Sequence, residues 1–140
     1  MFFQPYNLPA DAEYIRLGNN VVCASGVTFI CHDVIHHMLN RLDDDFKEYN
    51  TYWGTIDVKD NVFIGANTTI LPNVVIGSNT IIAAGSLINK DVPDGKIVGG
   101  VPARVIGDTS DLAEKRRIYS RTPFSKMSKS DRLLYLLRNK

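Results

Sequence analysis

Every sixth residue from Val58 to Ile88 is a β-branched aliphatic: Val58, Ile64, Ile70, Ile76, Ile82 and Ile88. Four places after each stands a small or β-branched residue, Val62, Thr68, Val74, Thr80, Ser86 and Val92. Three places after each stands Asn61, Asn67, Asn73, Asn79, Gly85 or Asp91, the residue types that enter a left-handed backbone at least cost. A period of six fits neither a 3.6-residue helix nor a simple two-residue alternation. It fits a short strand followed by a tight turn, with the aliphatic side chain in a core and Asn or Gly at the corner. Three such units close a triangular coil of about 18 residues, and coils stack at the ordinary strand spacing of about 4.8 Å. A sandwich of alternating strands would not hold a six-residue register for so long.

The pattern is fainter upstream, where Leu17 and Cys23 are followed by Asn20 and Gly26 and Phe29 opens a third unit. It breaks over about residues 33–51, read as a loop extruded from a corner, and resumes near Tyr52. The expected fold is an all-β parallel β-helix of three to four coils, residues 1–107, followed by a helical extension, 108–140. So squat a prism buries little volume, and association is expected to supply part of its stability. In the extension, Ser110 with Asp111 and Glu114 reads as a helix start, and Ser130-Asp131 precedes Leu133, Leu134, Leu136 and Leu137. One or two helices are expected to cap the open edges of the last coil.

Charge divides the chain in the same place. Residues 1–110 carry 7 Lys+Arg against 12 Asp+Glu, and 111–140 carry 9 against 3. A basic tail of this kind suits nucleic acid, a solvated helix face or a cofactor's phosphates. No aromatic-interleaved basic motif supports the first, so no nucleic-acid partner is expected. Two cysteines, Cys23 and Cys31, are too few for a disulfide framework, and Cys23 falls on a core position. No apolar run reaches the roughly 18 residues of a membrane span, and the start lacks the layout of an export signal, so a cytoplasmic protein is expected.

Three stretches carry a family resemblance: Ile15 to Asn20 running on through Val27-Thr28-Phe29-Ile30-Cys31-His32-Asp33; Asp60-Asn61-Val62-Phe63-Ile64-Gly65; and Ala83 to Pro93 followed by Gly99-Gly100-Val101-Pro102-Ala103-Arg104-Val105-Ile106. With them the chain resembles the hexapeptide-repeat acetyltransferases, especially capsular-polysaccharide and sugar O-acetyltransferases. The resemblance implies left-handed coils, a homotrimer and acetyl-CoA as co-substrate in a groove between neighbouring prisms. Relatives often have further coils before the segment matching Ile15; here that part of the acceptor pocket is expected to be either missing or rebuilt from residues 1–14.

By the same resemblance His32 is the catalytic histidine. An imidazole titrating near pH ~6.5 suits removal of a proton from an alcohol. Lys90 and Arg104 match cationic positions near the cofactor's phosphates. The small residues Gly65, Ala66, Ala83 and Ala84 would let the pantetheine arm approach backbone amides, or simply fit tight corners. Asp11 matches an acidic position and would orient His32 or the acceptor. The loop segment with Asp43-Asp44-Asp45, Tyr49, Tyr52 and Trp53 offers aromatics beside carboxylates, which either contact a carbohydrate or anchor the loop. Asp11 and Trp53 are the substrate-side candidates. His36 and His37 lie near His32 in sequence. The related β-helix carbonic anhydrases, which bind zinc through three histidines, take one of them from far along the chain, and here no histidine follows His37, so no metal is expected. Cys31, adjacent to His32 on extended chain, should point to the other side, which favours direct transfer over a covalent thiol route. The expected activity is acetyl transfer from acetyl-CoA to a hydroxyl of a sugar-like acceptor. The alternatives are N-acetylation of an amino sugar or xenobiotic, or a non-catalytic trimeric scaffold.

Overall fold

The structure, a computed structural model, describes residues 2–3 and 10–139. Residues 4–9, part of the segment from which the acceptor pocket would be rebuilt, lie outside the described residues. The chain forms two compact units, Met1–Thr109 and Ser110–Lys140.

The first unit is a stack of short parallel strands on three faces. One face holds β2 (Ile15–Leu17), β7 (Ile56–Val58) and β10 (Val74–Ile76). A second holds β3 (Val21–Cys23), β8 (Val62–Ile64), β11 (Thr80–Ile82) and β13 (Lys96–Gly100), with β1 (Phe2–Phe3) beside β3. The third holds β4 (Thr28–Phe29), β9 (Thr69–Ile70) and β12 (Leu87–Ile88). Ile56 pairs with Val74, Val62 with Thr80 and Thr69 with Leu87, an offset of 18 residues on every face. The offset between the first and second coils is 41 on every face, as in Ile15 with Ile56 and Val21 with Val62. The first coil therefore carries 23 extra residues (41 less 18), inserted between β4 and β7.

The six-residue repeat maps directly onto the core. Val58, Ile64, Ile70, Ile76, Ile82 and Ile88 are at most 2% exposed, and Thr68, Thr80 and Ser86 are buried with them. Strands of two or three residues are far too short to stand alone. Their stability comes from stacking one β-branched side chain on the next, where little rotamer freedom is lost. Corners are set by Asn20, Asn61, Asn67, Asn73 and Asn79, all with φ between 55° and 59°. Their amides also bond along the stack: Asn20 Nδ2 donates to Asn61 Oδ1 at 2.8 Å, and Asn61 Nδ2 to Asn79 Oδ1 at 3.2 Å.

Asp91, expected at a corner of this kind, is not in the left-handed region. The last coil cuts that corner: Ile76 bridges to Val92, an offset of 16 rather than 18. The Asp91 carboxylate closes the shorter turn by accepting from Val75 N–H at 2.8 Å. The edge of β13 is covered by β14 (Ala103–Asp108), which folds back antiparallel along it. Thr109 N–H donates to Gly95 O at 2.9 Å, which carries this unit two residues past Gly107.

The second unit contains most of α2 (Thr109–Ser120), a short 3-10 turn at Pro123–Lys126 and α3 (Lys129–Arg138). The cap of α3 is Ser128 rather than Ser130. Its Oγ accepts from Asp131 N–H at 3.1 Å and donates to Asp131 Oδ2 at 2.7 Å, a reciprocal capping arrangement.

Truncating a stacked aliphatic should be felt by the whole column. Ile76→Ala is expected to lose about 2–5 kcal/mol of stability, read from the urea midpoint at fixed protein concentration.

Candidate active site

The 23-residue insertion, residues 32–54, leaves the stack after Cys31 and closes at Gly54, whose N–H donates to Cys31 O at 2.8 Å. Its base is an antiparallel ribbon of β5 (His32–Asp33) and β6 (Tyr52–Trp53), with His32 opposite Trp53. The excursion beyond is not irregular throughout, since α1 (His36–Leu42) forms within it. Asp43 stops that helix and turns the chain, accepting from Asp45 N–H and Phe46 N–H and from Tyr49 Oη at 2.8 Å. These bonds, Tyr49's first, hold the Asp43 carboxyl below its ordinary range, and the same contact raises the Tyr49 phenol. Asp43 and Tyr49 are thus committed to loop structure. Tyr52 Oη accepts from Asn73 Nδ2 and ties the ribbon to the next coil.

Side chains from two segments meet at the ribbon. His32 Nδ1 lies 2.5 Å from Asp11 Oδ2, with the side chains 37% and 20% exposed. A carboxylate at that nitrogen selects the Nδ1–H tautomer and leaves Nε2 as the acceptor. The imidazole also lies against Trp53, ring centroids 4.6 Å apart, and Tyr14 stacks on the indole at 4.9 Å. Asp11 caps, and Tyr14 ends, the 3-10 turn Ala12–Tyr14 that leads into β2. Tyr14 went unread in the sequence because it precedes the first repeat and belongs to no motif.

Cys31 points the other way, 2% exposed. Burial, then the carboxylates of Asp11 and Glu13, push its thiol upward, and burial alone raises Cys23 to about 11. Neither is a ready nucleophile. The rings of His36 and His37 stack on each other at 4.1 Å. Among the described residues no group of three or more side chains could hold a metal ion.

The remaining predicted residues fall into two further groups. Gly65, Ala66, Ala83 and Ala84 form the corner between the second and third faces in successive coils. Gly65 N–H donates to Ile82 O at 2.9 Å, and a Cβ at Gly65 would come within 2.5 Å of Ala84 N. Only glycine permits that approach. Ala84 is exposed and Ala66 and Ala83 half-buried, so the corner is a low strip with backbone close to the surface. Lys90 and Arg104 line a separate cleft of about 280 Å³ with Asn89, Asp91, Pro93 and Val105. Neither cation is in a salt bridge among the described residues. His32, Asp11 and Trp53 do not line this cleft. One chain therefore presents three groups, not one assembled pocket.

Comparison with known proteins agrees with the repeat. The family described as bacterial transferase hexapeptide (six repeats) matches residues 56–90. Protein CapG of Staphylococcus aureus is 36% identical over 129 residues, which cover 91% of this chain and 72% of CapG. The chain belongs to the hexapeptide-repeat transferase family. Galactoside O-acetyltransferase of Escherichia coli (strain K12) is 36% identical over 112 residues, 79% of this chain and 52% of that enzyme. A solved galactoside acetyltransferase in complex with coenzyme A superposes with a TM-score of 0.60 at 33% identity, over 71% of this chain and 48% of that one. The hexapeptide-repeat chain described here thus spans about half the length of curated relatives such as the galactoside enzyme. The likeness to solved members of the family implies the left-handed winding expected from the sequence.

Both thiols should resist modification in the folded protein. Raised values favour the neutral S–H, so a disulfide thiol reagent at pH 8 is expected to label neither Cys23 nor Cys31 until urea unfolds the stack. Rapid labelling of Cys31 in native protein would show that its side chain reaches the His32 side after all.

Proposed function

We propose that this chain is the subunit of a homotrimeric, cytoplasmic acetyltransferase that carries acetyl from acetyl-CoA to a hydroxyl of a sugar-like acceptor. Residues 1–107, read as three to four coils, do the chemistry, and 108–140 form a basic extension. The observation that carries the proposal is the Asp11–His32 pair beside Trp53 at the base of the loop. Acetyl-CoA supplies an activated acyl thioester. What the protein must add is a base, because an alcohol is a poor nucleophile near neutral pH.

Nε2 of His32 takes the acceptor's hydroxyl proton as its oxygen forms the new bond to the acyl carbon. The same proton is then available to the departing sulfur as the carbon–sulfur bond breaks. Asp11, accepting from Nδ1–H, orients the ring so that Nε2 faces the acceptor, and it stabilises the imidazolium formed in between. Trp53 and Tyr14 fix the ring plane and present an aromatic wall on which a sugar face can lie. Mounting the base on a paired ribbon limits its motion, and holding both reactants in one groove supplies much of the rate.

Lys90 and Arg104, in no salt bridge among the described residues, suit the phosphates of the co-substrate. The low strip at Gly65, Ala66, Ala83 and Ala84 suits the slender pantetheine arm. Each active site then lies between subunits, as the family resemblance implies, one contributing the histidine and its neighbour the cofactor contacts.

His32→Ala is expected to reduce kcat by about 10²–10⁴-fold without altering oligomeric mass or melting temperature, and Asp11→Asn to cause a smaller loss. Coenzyme A release measured against sugars, amino sugars and amines reads both the rate and the acceptor class. Near wild-type turnover of His32→Ala on the acceptor so found would remove the base. Arg104→Glu should raise the KM for acetyl-CoA more than that for the acceptor; the reverse ranking would move the cofactor site elsewhere.

A further inference from the structure

Residues 111–140 carry 9 Lys+Arg against 3 Asp+Glu, and their last helix has two unlike sides. At 3.6 residues per turn, Leu136, Leu133, Leu137 and Leu134 share one arc of α3 of about 160°, while Arg132 and Tyr135 lie outside it. The side bearing Arg132 and Tyr135 is occupied. The Tyr135 ring packs against Phe124 at 5.3 Å, and the Arg132 guanidinium lies over the same ring at 5.7 Å. Arg132 also donates to Ser125 O at 3.1 Å and Met127 O at 3.0 Å. Tyr119 of α2 meets Phe124 from a third direction at 6.2 Å. The unit spends its aromatic contacts on one side of α3 and leaves the leucines outward, each 50–57% exposed.

The border of that leucine face is cationic. Arg138 stands next to Leu134 on one margin, and Lys129 lies one turn before Leu133 at the helix start, while the Arg132 guanidinium is held on Phe124 and the carbonyls of Ser125 and Met127. Asp131, the one carboxylate in α3, is engaged with its cap residue Ser128.

We infer that this face docks on an anionic lipid surface, with α3 lying in the headgroup plane, leucines turned down and Arg138 and Lys129 at the level of the phosphates. A leucine face bordered by Lys and Arg is the pattern of an interfacial helix. Ten residues extend only about 15 Å, half of a hydrocarbon core of roughly 30 Å, and no helix among the described residues is long and apolar enough to cross a membrane. Charge decides against pairing with a second copy of the same unit, because that would bring two strongly basic segments together at close range. Anionic headgroups neutralise the same charges. The inference does not depend on the acetyl-transfer reading.

The test is co-sedimentation of the full chain with vesicles of equal parts phosphatidylglycerol and phosphatidylcholine, and with phosphatidylcholine alone. Binding to the anionic vesicles is expected to be about tenfold stronger or more, and to weaken several-fold when salt is raised to roughly 0.5 M. Leu133→Glu combined with Leu137→Glu should abolish it while leaving helical circular dichroism and soluble-acceptor coenzyme A release unchanged. Lys129→Gln with Arg138→Gln, which keeps the leucines, should weaken binding and flatten the salt dependence. Three results overturn the inference. They are no sedimentation with anionic vesicles, full retention of binding in the double-leucine variant, and a change of vesicle-free oligomeric mass in that variant, which would assign the face to another protein copy.

Discussion

Everything in the first unit rests on the vertical contact between equivalent β-branched side chains in successive coils. A strand of three residues makes too few hydrogen bonds to persist alone, and its inward side chain has no partner within its own coil. Only when Val58, Ile76 and their counterparts lie directly over one another does each lose its exposure to water. That requires all three faces to keep one offset, and they do, at 18 residues between the second and third coils. The left-handed asparagines enforce the offset from outside, since a corner of different length would shift every following strand out of line.

This constraint explains why a 23-residue excursion is tolerated at one corner of the first coil. A loop that leaves and re-enters at the same point adds residues without changing the register of any face. Its ends must then lie side by side, and the β5–β6 ribbon is how they do so. The geometry proposed for the site is a by-product of that closure: His32 is the first residue out and Trp53 one of the last back in, so pairing sets them opposite each other. Asp11 reaches the same place because the turn before β2 delivers it there. The arrangement is rigid where it meets the stack and open towards solvent, which is what a proton-transferring histidine needs.

The residues suited to the co-substrate are distributed by the same architecture. Corner residues equivalent in the repeat line up along the stack, so Gly65, Ala66, Ala83 and Ala84 come together although they are far apart in chain order. Lys90 and Arg104 meet instead because the last coil is shortened at Asp91 and β14 turns back along β13. A three-sided column with different chemistry at its corners lends itself to sites shared between columns. The second unit obeys other rules: no residue of α2 or α3 is buried, and its order comes from caps and from the cluster about Phe124.

The amino-acid sequence by itself determined the coil, because a six-residue period with Asn at fixed phase has few physical solutions. It marked the core residue by residue, placed the corners at all of the repeats from Asn61 to Gly85, and located the excursion and the histidine at its mouth. Tertiary structure alone decided what the period does not encode. The contact of Asp11 with His32 spans 21 positions and arises from the folding of a segment outside the repeat. Tyr14 joined the site for the same reason. The helix in the loop, the Asp43–Tyr49 bond, the shortened corner at Asp91 and the covering of β13 by β14 depend on where the stack puts its ends. Periodicity specifies neighbours one coil apart, whereas a site at the margin of the stack is set by whichever non-repeating segments the closed column brings to that margin.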